Sequence, residues 1–260
     1  MSSAITFGST SLGALGINQS ITIKPGAGVG YSTWCCFAKL ITLSGGQQVL
    51  WQTMLSLHVS WFQILYDTAS KTIGLYGGPT PAVLLTTITP TLGQWYFIAY
   101  TQSSSGTVGS SSATTTWTIY IKPVGAATCR VFSFTGTGTT YPPQSPDYLG
   151  LGNVASWSGS TTSTEPWEGS ICGVKFWNGV PLTQEEIERE SEQIAPVRRS
   201  DLFWYFPLTH SLDLYPQQFV EGGQTPWVAF TPANLSQGSG PPIPEYKDAG
   251  FIDNTAVWGY

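Results

Sequence analysis

The chain has 260 residues, 41% hydrophobic and 13% aromatic, but only 10% charged, with a formal net charge of −5. An ordinary soluble domain is about 25% charged, whereas a disordered chain is rich in charge and poor in aromatics, so a folded chain with ample core material and a surface of Ser, Thr, Gln, Asn and Gly is expected. No basic patch points to nucleic acid, no apolar stretch approaches the ~20 residues that span a bilayer, and Met1 leads into SSAITFGSTSLGALG, which lacks the basic and apolar regions of a signal peptide.

Strand signals recur along the chain as short β-branched and aromatic runs broken by Gly, Pro and Ser clusters. They fall at Ser20–Lys24, Tyr31–Leu43, Val49–Leu57, Ser60–Tyr66, Thr72–Tyr76 and Ala82–Ile88. They continue at Gln94–Gln102, Thr114–Ile121, Cys129–Phe134, Tyr148–Gly152 and Ser170–Trp177. QWYFIAYTQ and TTTWTIYI carry aromatics on alternating positions, which predicts one row facing inward and one outward. SSSGTVGSSSA between them reads as an exposed loop tip. Many short strands at this spacing, without βαβ alternation, predict an all-β, two-sheet antiparallel sandwich that needs most of the chain as one domain. Cys35 and Cys36 are adjacent, so on a strand they point to opposite faces and are not expected to share the core. With Cys129 and Cys172 they fit no zinc spacing, and free thiols are expected in preference to a Cys129–Cys172 bridge, as in a protein made in a reducing cytoplasm.

One helix is predicted, Thr183–Ile194, TQEEIERESEQI. Thr183 and Glu186 have capping-box spacing, Glu185 and Glu186 sit at the positive end of the helix dipole, and Pro196 ends the pattern. Ile187 and Ile194 would dock it on the sandwich, and its five glutamates read as a solvated face. They account for much of a charge asymmetry in which residues 1–146 hold one acid against five bases and residues 147–260 fourteen against five. The chain divides into a sandwich at 1–215 and a Pro/Gly-rich C-terminal arm at 216–260. The arm keeps Trp227, Phe230, Tyr246, Phe251, Trp258 and Tyr260. Exposed aromatics forgo roughly 1.5–3 kcal/mol each, so the arm is expected to lie on its own sandwich or on a neighbouring subunit.

The motif DYLGLGN, followed after a Ser/Thr-rich loop by WEGSICGVKFWNGVPLTQEEIERE, resembles the closing portion of laminin G-like jelly rolls of the concanavalin A-like class. GQWYFIAY and WTIYI upstream resemble the strands that precede it, so the likeness covers roughly residues 30–195. It implies a jelly-roll β-sandwich whose loops often bind sugars, sometimes with calcium. SEQIAPVRRSDLFWYFPLTHSLDL with the later GPPI is similar to tails of phage-encoded and metagenomic members, which implies a virion structural protein.

Some enzymes of this fold are glucanases, which need two carboxylates about 5–5.5 Å apart, presented from alternate positions of one strand. No strand here carries such a run, and neither His58 nor His210 lies beside a nucleophile motif, so no catalytic residue is expected. Asp147 and Asn153 flank the LGLG strand near where relatives hold calcium, but they are few of the about six to eight oxygens the ion takes, and no cofactor is expected. Trp157 in NVASWSGSTTST and Tyr141 in TTYPPQS, with the Asn153 amide, are candidate sugar-stacking residues, the alternative being that each covers the core edge or a subunit contact. The expectation is a non-catalytic structural or adhesive protein. Its partners would be copies of itself or other virion proteins, with cell-surface glycans as further candidates. Its place would be a virion assembled in the host cytoplasm, as a capsid decoration or tail-associated subunit. The alternative is an extracellular carbohydrate-binding module.

Overall fold

The computed structural model describes residues 3–7, 16–18, 25–26, 29–43, 46–55, 61–77, 83–105, 114–137, 146–152, 167–209, 217–218, 227–229 and 236–243. The first strands in chain order are β1 (Ser3–Phe7), β2 (Gly16–Asn18), β3 (Pro25–Gly26), β4 (Val29–Leu40), β5 (Gln48–Leu55), β6 (Trp61–Asp67), β7 (Thr72–Gly77) and β8 (Val83–Leu85). They are followed by β9 (Trp95–Ser105), β10 (Thr114–Pro123), β11 (Arg130–Thr137), β12 (Pro146–Leu151) and β13 (Gly169–Asn178). After the single helix α1 (Gln184–Glu190) come β14 (Leu202–Phe206), β15 (Gln217–Gln218), β16 (Trp227–Ala229) and β17 (Ser236–Ser239). The predicted strand at Ser20–Lys24 lies outside the described residues.

These strands form two antiparallel sheets. The larger runs β11-β10-β9-β4-β13-β1-β17, with β14 and β15 continuing beside β13 and β3 beside β4. The smaller runs β16-β2-β12-β5-β6-β7-β8. Strand alternation sends Trp34, Cys36 and Ala38 of β4 toward the smaller sheet, where Trp34 stacks on Trp51 of β5 at 4.9 Å and Trp51 meets Phe176 of β13 at 6.3 Å. Each such aromatic pair adds about 0.5–1.5 kcal/mol to the burial of its rings.

The other face of the larger sheet is covered as well. Every residue from Trp95 to Gln102 is buried, so the predicted outward row of β9 is not exposed. Its cover is α1 and the chain that follows it. Thr183 caps α1 by accepting a bond from the Glu186 N–H, and the Glu186 side chain accepts one in return. The helix closes at Glu190, not at Ile194: the Ser191 N–H still reaches the Ile187 carbonyl, but the Glu192 N–H bonds the Arg189 carbonyl three residues back, a tightened last turn. The Glu190 carbonyl, which a further turn would use, accepts instead from the Lys175 ammonium on β13. Ile187 and Ile194 dock as predicted, both buried. Ile194 seats against Gly173, where a β-bulge between Cys172 and Lys175 places the glycine at φ +60. A Cβ there would lie 3.1 Å from the Ile194 side chain and 3.3 Å from Phe37.

The second buried face corrects the expectation for the cysteines. Cys35 and Cys36 do point to opposite faces, yet both are fully buried, one under the helix and one between the sheets. All four cysteines are free and buried. Three stretches beyond residue 216 join this chain's own sheets: β15 pairs with β14, β16 with β2, and β17 with β1. Trp227 sits in β16, its backbone paired with Asn18. Phe230, Tyr246, Phe251, Trp258 and Tyr260 lie outside the described residues.

Candidate functional site

The predicted sugar-binding residues Tyr141, Asn153 and Trp157 lie outside the described residues, as do His58 and His210. Asp147 is placed only as a backbone position of β12, whose side chain is likewise outside them. Among the described residues no group of three or more His, Cys, Asp or Glu side chains is arranged to hold a metal, and no helix is long and apolar enough to cross a membrane.

The helix acids do not all form a solvated face. Glu185 and Arg189 pair at 2.5 Å on the exposed side of α1, and Glu186 meets Arg198. Burial works against the charge of Glu186, but the Thr183 N–H and the Arg198 guanidinium hold its carboxyl below the ordinary range. Glu190 is the correction: it and Lys175 are both completely buried and pair at 2.7 Å. Helical periodicity puts Glu190 on the face of Ile187 and Ile194, so it must face the sheet. Its carboxylate also accepts the backbone N–H groups of Val197 and Arg198, and Lys175 donates further to the carbonyls of Glu190 and Gln193. All three ammonium hydrogens are thereby taken, and the pair clamps the post-helix loop to β13. Burial pushes the thiols of Cys35 and Cys36 far above their ordinary range and that of Cys129 to about 11, so all three stay protonated and weakly nucleophilic at neutral pH.

Further along the same face lies a cavity of about 280 Å³. It is lined by Phe97 and Lys122 from the sheet, by the turn at 124–126, by the Ser191–Glu192 step, and by Pro242 and Ile243 from the C-terminal segment. Lys122 is almost fully buried and donates to Ser191 Oγ at 3.0 Å and to Glu192 Oε1 at 2.6 Å. The Glu192 side chain is 50% exposed.

Where α1 and its loop stop, the covered face becomes an open strip. Thr116 meets Thr135 at 3.3 Å and Thr118 meets Ser133 at 3.1 Å, exposed hydroxyl pairs across β10 and β11. β11, RVFSFTGT, is the rim of the larger sheet, and among the described residues it pairs only with β10. Its single charge, Arg130, donates to Thr87 Oγ1 at 2.9 Å and lies over the Phe132 ring. Ser133 and Thr135 are exposed and Val131 is 40% exposed. The rim thus lacks the prolines and lysines with which monomeric sheets block pairing at an edge.

On the smaller sheet, Gln63 of β6 is fully buried and alternates with the core residue Ile64, and neither of its side-chain polar atoms has a partner among the described residues. Leaving a buried amide unsatisfied costs about 1–3 kcal/mol, so Gln63→Met, which keeps the shape, should raise stability by about 1 kcal/mol. A thermal melt checks this, and a lowered midpoint would mean that the amide is in use.

No known family pattern matches the sequence, and no curated protein matches it. Among solved structures, the heptameric SAP-like pentraxin of Limulus polyphemus superimposes with a TM-score of 0.50 over 92% of this chain and 95% of that one, at 13% identity. The fold is a two-sheet antiparallel jelly-roll β-sandwich. Two others are similar: tailspike protein 2 of the Escherichia coli O157:H7 bacteriophage CAB120, with a TM-score of 0.49 at 15% identity, and the LG1-3 region of the laminin alpha2 chain, with 0.47 at 10% identity. The first match takes 74% of this chain but 25% of the tailspike, and the second 70% of this chain and 32% of the laminin region.

Proposed function

We propose that this chain is a non-catalytic structural and adhesive protein whose copies join edge to edge along β11. The observation that carries the reading is the unblocked rim: eight residues long, with one charge that is turned back onto its own chain. An open edge of this kind presents unpaired backbone donors and acceptors, and a second strand satisfies them. The sequence of β11 suits pairing with itself about a two-fold axis. Centred on Ser133, an antiparallel pair would set Phe132 opposite the partner's Phe134 on one face and Val131 opposite the partner's Thr135 on the other. Arg130 would then face the partner's Gly136, so no like charges meet. The hydroxyl strip beside it carries no charge, and its hydroxyls are already paired with one another across β10 and β11. The closed Lys175–Glu190 clamp and the protonated thiols support a scaffold over a reaction centre. The setting we propose is a virion, as a decoration or tail-associated subunit, where a surface poor in charge spends its life against other subunits.

The test is a charge swap at the two-fold position. Ser133→Lys and Ser133→Glu each place like charges opposite one another and should leave monomers by light scattering, with the melting temperature almost unchanged. Mixed in equal amounts, the two should associate again. A wild-type chain that is monomeric throughout, or assemblies indifferent to both substitutions, would sink the reading.

A further inference from the structure

We infer that the cavity at Lys122 and Glu192 is a binding site for a small zwitterion, a free α-amino acid with an apolar side chain. This does not depend on the assembly reading, since the cavity lies at the helix-covered end of the sheet, away from the open strip of Ser133 and Thr135.

The inference rests on what the walls offer. Lys122 is held under cover with two of its three N–H groups engaged, by Ser191 and Glu192, and among the described residues its third N–H has no acceptor, which leaves one donor lining the cavity. Glu192 uses Oε1 on Lys122, and its Oε2 accepts no hydrogen bond from the described residues. The cavity therefore presents one cationic donor and one anionic acceptor side by side. Their charges offset each other, so a lone anion or cation gains from one partner and is opposed by the other. A molecule carrying carboxylate and ammonium on one carbon can answer both at once, its carboxylate toward Lys122 and its ammonium toward Glu192. Beyond Lys122, Ser191 and Glu192 the lining is Phe97, Val124, Gly125, Ala126, Pro242 and Ile243, whose side chains are apolar. This takes an aliphatic side chain, and about 280 Å³ holds one of leucine size. The volume is just below the range of drug-sized ligand sites, about 300–1,000 Å³, as a ligand this small requires.

The experiment titrates L-leucine into the isotopically labelled full chain and follows backbone amide signals by NMR. Beside it run 4-methylpentanoate, which lacks the ammonium, 3-methylbutylamine, which lacks the carboxylate, and methyl β-glucoside as a neutral polyol. Leucine should shift the amides of Gly125, Ala126, Ser191 and Glu192. Each half-molecule should bind about tenfold or more weakly, the loss expected for one charge-assisted hydrogen bond. Glu192→Gln should weaken leucine binding by a similar factor. Ala126→Trp, which fills the cavity from an exposed turn, should abolish binding while the melting temperature holds. The inference is overturned if leucine leaves those four amides in place, or if both variants bind it as the wild type does. It is equally overturned if 4-methylpentanoate, 3-methylbutylamine or the glucoside binds as well as leucine.

Discussion

Lys175→Met should destabilise the chain by about 3–5 kcal/mol, because it leaves the Glu190 carboxylate buried without a counter-charge. Glu190→Gln should cost a comparable amount, since it strands the ammonium in the same dry space and weakens the acceptor used by the Val197 and Arg198 N–H groups. The double variant Lys175→Met/Glu190→Gln should recover part of the loss, as no net charge remains buried. A double-mutant cycle by chemical denaturation measures the coupling. If the single and double losses simply add, the two residues do not act as a pair. The clamp holds more than itself. Val197, Arg198 and the Trp177 indole, which donates to the Arg198 carbonyl at 3.0 Å, locate the loop that roofs β4, β9 and β13. Its release should expose apolar surface, detectable as dye binding in the single variants.

Gly169→Ala should be as damaging. A Cβ at this position would sit 1.8 Å from the Lys39 carbonyl oxygen and 2.9 Å from the Trp167 indole nitrogen. The obstacle is backbone on the neighbouring strand β4, paired in register through Gly169 and Leu40, so relief requires separating two central strands. A loss of about 3 kcal/mol or more is expected, or failure to accumulate folded protein. Gly46→Ala is the control: no atom of the described residues lies within 4 Å of a Cβ built there, and the change should stay within about 0.5 kcal/mol. A well-folded Gly169→Ala variant with an unchanged denaturation midpoint would mean that β13 and β4 do not meet in this register.

The sandwich was largely legible because its signals are local. Alternating runs such as QWYFIAYTQ and the Thr183–Glu186 cap each need fewer than ten or so residues to be recognised, and both became the elements they predict. What escaped depends on distant pairings. Lys175 stands alone within ICGVKFW, and a lysine in so apolar a strand requires a buried counter-charge. The spacing of Ile187, Glu190 and Ile194 already named that partner, so this signal was present and passed over. The second buried face of β9 and the burial of both adjacent cysteines follow from the same docked loop. The cavity had no sequence signature, since it draws on residues near 97, 122, 191 and 243, brought together only by the fold. β11 reads plainly as a strand, but its place at the rim comes from pairing order. The candidate residues Tyr141, Asn153 and Trp157 lie outside the described residues.

Backbone hydrogen exchange along β11, followed as protein concentration is raised, tests the edge-to-edge account most directly. Its outward N–H groups should exchange rapidly in dilute solution and become protected as copies pair, while amides of β10, already bonded on both sides, hold constant. β11 amides whose exchange stays the same across that range, in a sample that light scattering shows to be assembled, would place the contact elsewhere and contradict it.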